Sequence, residues 1–166
     1  MKKLFIGLLS FFIVQVCFGQ TSDNIPVRAQ GVFLEGLGPS LIVGLNYDTR
    51  FSNRRDGLGG RAGLGYFAAG GNNLLTIPVM LNYLLGKEKH YFEVGLGATF
   101  ATGAIEDIGF TDSDKTKGSN FIGTSVFGYR YQPLDNGFQF RAGFSPVFGN
   151  GYFIPYWPYL SVGYTF

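Results

Sequence analysis

The chain carries few of the residues on which chemistry usually depends. Its 166 residues include one histidine, His90, and one cysteine, Cys17. A Ser–His–acid relay needs an imidazole within hydrogen-bond reach of its nucleophile. His90 stands in the polar turn Lys87-Glu-Lys-His90, whereas Ser125 falls in the middle of another segment. One thiol and one imidazole are also too few for an ordinary zinc site. Gly57-Leu-Gly59-Gly-Arg-Ala62 matches a dinucleotide fingerprint by letter. It lacks the strand before and the helix after that cradle a pyrophosphate. Asp112-Ser-Asp114 begins like a calcium loop, but the turn glycine and closing glutamate are missing. A solvated loop is one reading of it, and weak cation or lipopolysaccharide contact the other. These residues predict no catalytic site, no metal and no cofactor.

What remains is a set of charges in otherwise uncharged stretches: Asp48, Arg50, Arg61, Glu93, Arg130 and Arg141, with Glu35 further along. Each lies on the less apolar face of a segment with period two, the mark of a two-faced strand. In 41–51, Leu41, Val43, Leu45, Tyr47, Thr49 and Phe51 alternate with Ile42, Gly44, Asn46, Asp48 and Arg50. In 91–101, Phe92, Val94, Leu96, Ala98 and Phe100 alternate with Glu93, Gly95, Gly97 and Thr99. Segments 28–37, 58–68, 74–85, 121–132, 138–148 and the stretch ending at Phe166 behave in the same way. That gives eight strands of roughly 9–11 residues, the length of a tilted membrane-crossing strand. Ser52–Gly57, Gly86–His90 and Pro133–Gly137 are short polar turns on one side. The other side includes the long segment 102–120, with Glu106, Asp107, Asp112, Asp114, Lys115 and Lys117. Gly36–Ser40 also falls on that side, yet it is short.

Such strands can close with the apolar face inward, as in a soluble ligand-binding barrel, or outward, as in a membrane barrel. Only 14% of residues are charged and 26 are glycine, which makes a sparse soluble exterior. The charges also share one face, as expected when an arginine on the lipid face at mid-depth costs ~2–4 kcal/mol. Aromatics gather at strand ends. Phe51, Tyr83, Phe92, Tyr129, Tyr131, Phe138, Tyr164 and Phe166 form one set, and Tyr66, Phe100, Phe121 and Phe148 the other. Two such girdles suit a bilayer. The pattern predicts an all-β fold, an eight-stranded antiparallel up-and-down transmembrane β-barrel over residues 28–166.

Met1-Lys-Lys, an apolar run from Leu4 to Val14, and Gly19 read as a cleaved signal peptide over 1–19. Residues 20–27 then form a short periplasmic segment. The formal net charge of +2 belongs to Lys2 and Lys3, so the mature chain balances 11 acidic groups with as many basic ones. A basic nucleic-acid binder is therefore not expected. Cys17 leaves with the signal, and disulfides leave with it.

The whole mature chain resembles the small outer-membrane β-barrel proteins of Gram-negative bacteria, similar in plan to OmpA-type and OmpX-type barrels. The resemblance is carried by the last strand, Leu160-Ser-Val-Gly-Tyr-Thr-Phe166, and by Tyr129-Arg-Tyr-Gln-Pro and Phe140-Arg-Ala-Gly-Phe-Ser-Pro. It implies location in the outer membrane, outer-membrane lipid as surroundings, and the barrel-assembly machinery as a partner during insertion. In that family Tyr164 and Phe166 stand at the aromatic positions of the assembly signal, although Ser161 replaces the usual glycine. No extracellular partner is implied.

Chain direction puts Asp48, Arg50, Arg61, Glu93, Arg130 and Arg141 in the turn-side half of the lumen, with Glu35 higher. A salt-bridge layer filling a narrow barrel is one reading. An anion-selective constriction is the other. Above the layer, Gly44, Gly63, Gly65, Gly95, Gly97 and Gly143 either let walls interdigitate or open a pocket for a small apolar ligand. The expected function is structural or interaction-based, through outer loops 102–120 and 148–157. A passive channel is the alternative, and a lipid-modifying enzyme comes third.

Overall fold

The computed structural model describes residues 28–69, 72–104, 118–149 and 151–166. The leader, residues 20–27 and most of segment 102–120, with Asp112 and Asp114, lie outside the described residues. Ten strand segments follow in order: β1 (Gln30–Leu37), β2 (Val43–Arg50), β3 (Gly57–Ala69), β4 (Asn72–Lys87) and β5 (His90–Ala104). Then come β6 (Gly118–Tyr131), β7 (Gly137–Phe144), β8 (Val147–Gly149), β9 (Tyr152–Ile154) and β10 (Pro158–Thr165). β7 and β8 run along β6 as one wall interrupted at Ser145-Pro146. β9 and β10 are likewise one wall, lying against β8 and β7. Eight antiparallel walls result, and β1 pairs with both β2 and β10, so the sheet closes on itself.

Alternation in sequence becomes inside and outside in space. Val32, Leu34, Leu45, Leu64, Val79, Leu81, Leu96, Leu160 and Val162 are exposed, while Phe33, Glu35, Asn46, Asp48, Arg61, Asn82, Glu93 and Ser161 are buried within the ring. A band of aliphatic side chains this extensive is covered at low cost only by an apolar medium. Aromatics border it: Phe51, Tyr83, Phe92, Tyr129, Phe138, Tyr164 and Phe166 at one end, Tyr66, Phe121, Phe148 and Tyr156 at the other. Tyr131 at the first end and Phe100 at the second are only partly exposed.

Two details depart from the sequence pattern. β4 and β5 are 16 and 15 residues long, because their ladder continues to Asn73↔Ala104, past the end of the apolar alternation. Segment 148–157 is a loop only in part, since residues 148–149 and Tyr152–Ile154 are strand and residues 155–157 are not. Val147↔Ile154, Phe148↔Phe153 and Gly149↔Tyr152 pair it into a hairpin, and Gly151 (φ 87°) supplies the left-handed backbone that such a tight reversal demands. Pro78 leaves its own mark inside β4. The β3–β4 ladder skips from Ala62↔Val79 to Gly65↔Thr76, since proline has no N–H to donate there.

The turn end holds the connections after β2, β4 and β6, together with both ends of the barrel chain. At the opposite end, the β1–β2 connection does not project outward. Gly38, Pro39, Ser40 and Leu41 fold into the ring and are buried.

Candidate functional site

The inward charges form one connected layer with Asp48 at its centre. Asp48 Oδ1 accepts from Arg50 Nη2 at 2.9 Å and from Arg130 Nη1 and Nη2 at 3.0 Å each. Its Oδ2 accepts from Asn82 Nδ2 at 2.7 Å and lies 3.6 Å from Arg141 Nη1. Asn82 is the link to the second acid, since its Nδ2 also donates to Glu93 Oε1 at 2.7 Å, while its Oδ1 accepts from Arg50 at 2.6 Å. Glu93 meets Arg141 at 3.5 Å and Arg130 at 3.8 Å. The carboxylate of Glu35 holds Arg61 at 2.9 Å. Arg141 and Arg61 both lie over the ring of Phe33, at 3.8 and 5.4 Å from its centre.

Register explains why these groups meet. The β2–β3 ladder sets Asp48 opposite Arg61, and the β6–β7 ladder sets Arg130 opposite Arg141. Like charges directly across a ladder repel, so the Arg130–Arg141 rung is tolerable only with carboxylates reaching it from across the interior. Asp48 and Glu93 do that. All seven charged side chains are within 3% of complete burial. Burial at that level is costly unless each charge is paired and hydrogen-bonded.

The folded-in turn sits beside this layer. Leu37 N–H donates to Ile42 O at 2.7 Å, Leu41 N–H to Gly38 O at 3.0 Å, and Ile42 N–H to Ser40 O at 3.0 Å. The last bond closes a γ-turn about Leu41, whose φ of 68° and ψ of −55° are rare and strained for a side-chain-bearing residue. Leu37, at φ 61°, is a second such residue. Side chains from around the ring hold the turn. Ser40 N–H and Oγ donate to Glu35 Oε1 at 3.2 and 3.0 Å, Thr76 Oγ1 to Ser40 O at 3.0 Å, and Thr99 Oγ1 to Pro39 O at 2.7 Å. Leu41 packs with Leu74, Ala101, Ile122 and Val147. Glu35 thus ties the turn to Arg61 and to the charge layer.

Glycines make the room. A Cβ on Gly44 would lie 2.5 Å from Ser40 Oγ, and one on Gly65 would lie 2.2 Å from Thr76 Oγ1 and 3.1 Å from Ser40 O. At Gly63 and Gly97 the corresponding space is taken by Asn46 and Met80. At these positions the bare backbone admits neighbouring side chains.

The remaining sequence candidates stay apart. His90 is on the turn-end rim, with Nδ1 2.6 Å from Tyr129 OH and its ring edge-on to Tyr131. The Ser125 hydroxyl donates instead to Pro146 O at 3.4 Å. Gly57–Ala62 lies within β3, so no helix follows it. Tyr164 packs edge-on against Phe138 at 5.8 Å, and Phe166 exchanges backbone hydrogen bonds with Gln30.

No protein-family model matches the chain, and no curated protein matches it significantly. Two solved structures are similar. The crystal structure of the N-terminal β-barrel domain of Pseudomonas aeruginosa OprF aligns with a TM-score of 0.56 and 13% identity, covering 84% of this chain and 96% of that one. The backbone structure of Yersinia pestis outer membrane protein Ail in a phospholipid bilayer nanodisc aligns at 0.49 and 15%, covering 84% and 98%. The fold is that of a small outer-membrane β-barrel. Within this outer-membrane barrel fold, alternation alone sufficed to single out the inward charges. The neutral side chains Asn46, Asn82, Gln132, Gln139 and Tyr159 share the same inward face, which the same rule assigns, although the alternation does not say which of them bridge the charges. The folded-in turn had a weaker signature: Gly38-Pro39-Ser40 between two strands, with Gly44 and Gly65 facing it.

Proposed function

We propose that this chain is an outer-membrane protein whose barrel is closed to solutes and which acts structurally or at the cell surface through its loop end. The observation that carries this reading is the double filling of the interior. Asp48, Glu93 and their arginines cross the turn-side half, and the Gly38–Leu41 turn occupies the other half, pinned by Ser40, Thr76 and Thr99. An eight-stranded ring is just wide enough for side chains to fill. In an outer membrane, the short connections after β2, β4 and β6 face the periplasm, and the opposite end, where β5 ends at Ala104 and β6 begins at Gly118, faces outward. The layer then lies nearer the periplasm. Among the described residues, His90 is bonded to Tyr129 on the rim and not to a serine or threonine hydroxyl, which supports a non-enzymatic role.

Single-channel recording on protein inserted in planar bilayers tests this. Baseline current without steady openings is expected, and it should persist when Arg50 or Arg130 is replaced by glutamate in protein that still inserts. Steady openings whose ion preference reverses with those substitutions would establish the channel in its place.

A further inference from the structure

The charge layer does not balance. Among the described residues, Arg50, Arg61, Arg130 and Arg141 are buried with only Glu35, Asp48 and Glu93, which leaves one positive charge over. The surplus is local. Arg61 has Glu35 to itself at 2.9 Å, so Arg50, Arg130 and Arg141 share two carboxylates. Of these three, Arg141 is the most weakly compensated. Its carboxylate contacts are 3.5 and 3.6 Å, against 2.9 and 3.0 Å for Arg50 and Arg130.

Around Arg141 the wall between β7 and β10 presents hydrogen-bond donors without partners. The register places Ser161 directly opposite Arg141, with Gln139 one inward-facing rung nearer the turn end and Thr165 one further, opposite Gly137. Arg141 Nε, Gln139 Nε2, Ser161 Oγ and Thr165 Oγ1 are all buried and unpaired. Gln139 Oε1 already accepts from Arg141 Nη2 at 3.1 Å, which fixes the amide so that its N–H groups point away from that bond. An unneutralised charge in a low-dielectric interior is costly. One extra cation whose Nε is idle, with the idle Ser161 hydroxyl on the same rung, therefore describes a receptor for negative charge.

We propose that the lumen binds one small inorganic monovalent anion, of chloride size, against Arg141 and the Ser161 hydroxyl opposite it. The anion neutralises the interior and stabilises the folded barrel, since any ligand held only by the native state does so. This goes beyond the closed-barrel reading, and either could hold without the other. A conducting barrel could still bind an anion, and a closed one could hold water alone.

The experiment substitutes bromide for chloride. Crystals of the full barrel grown in sodium bromide are measured at the bromine absorption edge, and a peak is expected beside Arg141. In solution at fixed ionic strength, the unfolding temperature followed by heat-modifiable gel migration should be higher in chloride or bromide than in gluconate. Arg141→Gln equalises the buried charges, so both the peak and the halide dependence should vanish. Glu93→Gln moves the balance the other way and should strengthen the halide dependence, which keeps the test open if one variant does not fold. No anomalous peak in the wild-type lumen, or a peak and halide dependence undiminished in Arg141→Gln, would overturn the proposal.

Discussion

Replacing Asp48 with asparagine removes one charge with almost no change in shape. Asp48 takes four hydrogen bonds of 2.9–3.0 Å from Arg50 and Arg130, and one of 2.7 Å from Asn82. After Asp48→Asn, three guanidinium groups share Glu93 alone, and the amide aims N–H groups at N–H groups on one side. Breaking a buried pair by removing one partner costs about 3–5 kcal/mol. Asp48 is paired with more than one arginine, so the upper part of that range applies. Urea unfolding of the barrel in lipid vesicles, followed by the fluorescence of Trp157, measures the loss as a lowered midpoint at unchanged slope. Adding Arg130→Gln removes a cation that the first change left unpaired. The double variant should recover about 1–3 kcal/mol relative to additivity, as expected of coupled neighbours. An Asp48→Asn midpoint within about 0.5 kcal/mol of wild type, the range of an ordinary surface substitution, would refute the view that this carboxylate neutralises the layer. Additivity of the two changes would refute the pairing itself.

Three further outcomes follow from the geometry. Gly44→Ala puts a methyl 2.5 Å from Ser40 Oγ and should cost about 1–3 kcal/mol by overpacking while raising proteolysis at Gly38–Leu41; Gly36→Ala, whose nearest neighbour is 3.9 Å away, is the neutral control. Leu96→Arg, on the apolar band, should lower stability in bilayers by about 2–4 kcal/mol, whereas Phe51→Arg, at the rim, should cost no more than about 1 kcal/mol for its added charge. Asp56→Asn breaks the exposed Arg54–Asp56 pair of 2.9 Å and should leave the unfolding midpoint unchanged at physiological salt, within gel resolution.

The inside–outside division was legible because a strand has period two and the two environments differ sharply. One misplaced residue in Leu41–Phe51 or Tyr91–Ala101 would set Arg50 or Glu93 in hydrocarbon, so the pattern admits a single phase. What joins the charges was not legible. That Asn82 bridges Asp48 to Glu93 depends on register across three ladders, which no local signal encodes. The direction of the β1–β2 connection was hidden for a different reason. Gly-Pro-Ser favours a turn but does not say which way it points, and the inward choice is made by distant groups such as Thr76, Thr99 and Leu74. The 148–157 hairpin was not legible because each of its arms is only three residues long, Val147–Gly149 and Tyr152–Ile154, too short for an alternation to stand out. Pro146 and Pro155 fall at the gaps between strand segments, and Phe148↔Phe153 continues the ladder beyond them.

The seam between β1 and β10 has a consequence in time. It joins Gly31 to Thr165 and Leu37 to Tyr159, nearly the two ends of the barrel chain. The other ladders join walls that follow one another along the chain, so they can form as the chain is delivered. The seam cannot, and until it forms the interior is an open trough. In that state Arg141, on a late strand, and Asp48, on an early one, are still separated by the opening. The interior ion pairs therefore arise together at ring closure, and the partly closed intermediate exposes unmatched charge on one face and apolar side chains on the other. Unfolding retraces this step, so once the seam parts the layer is lost as a unit. Resistance to opening is then set by the rate at which one ladder, from Gly31 to Leu37, comes undone.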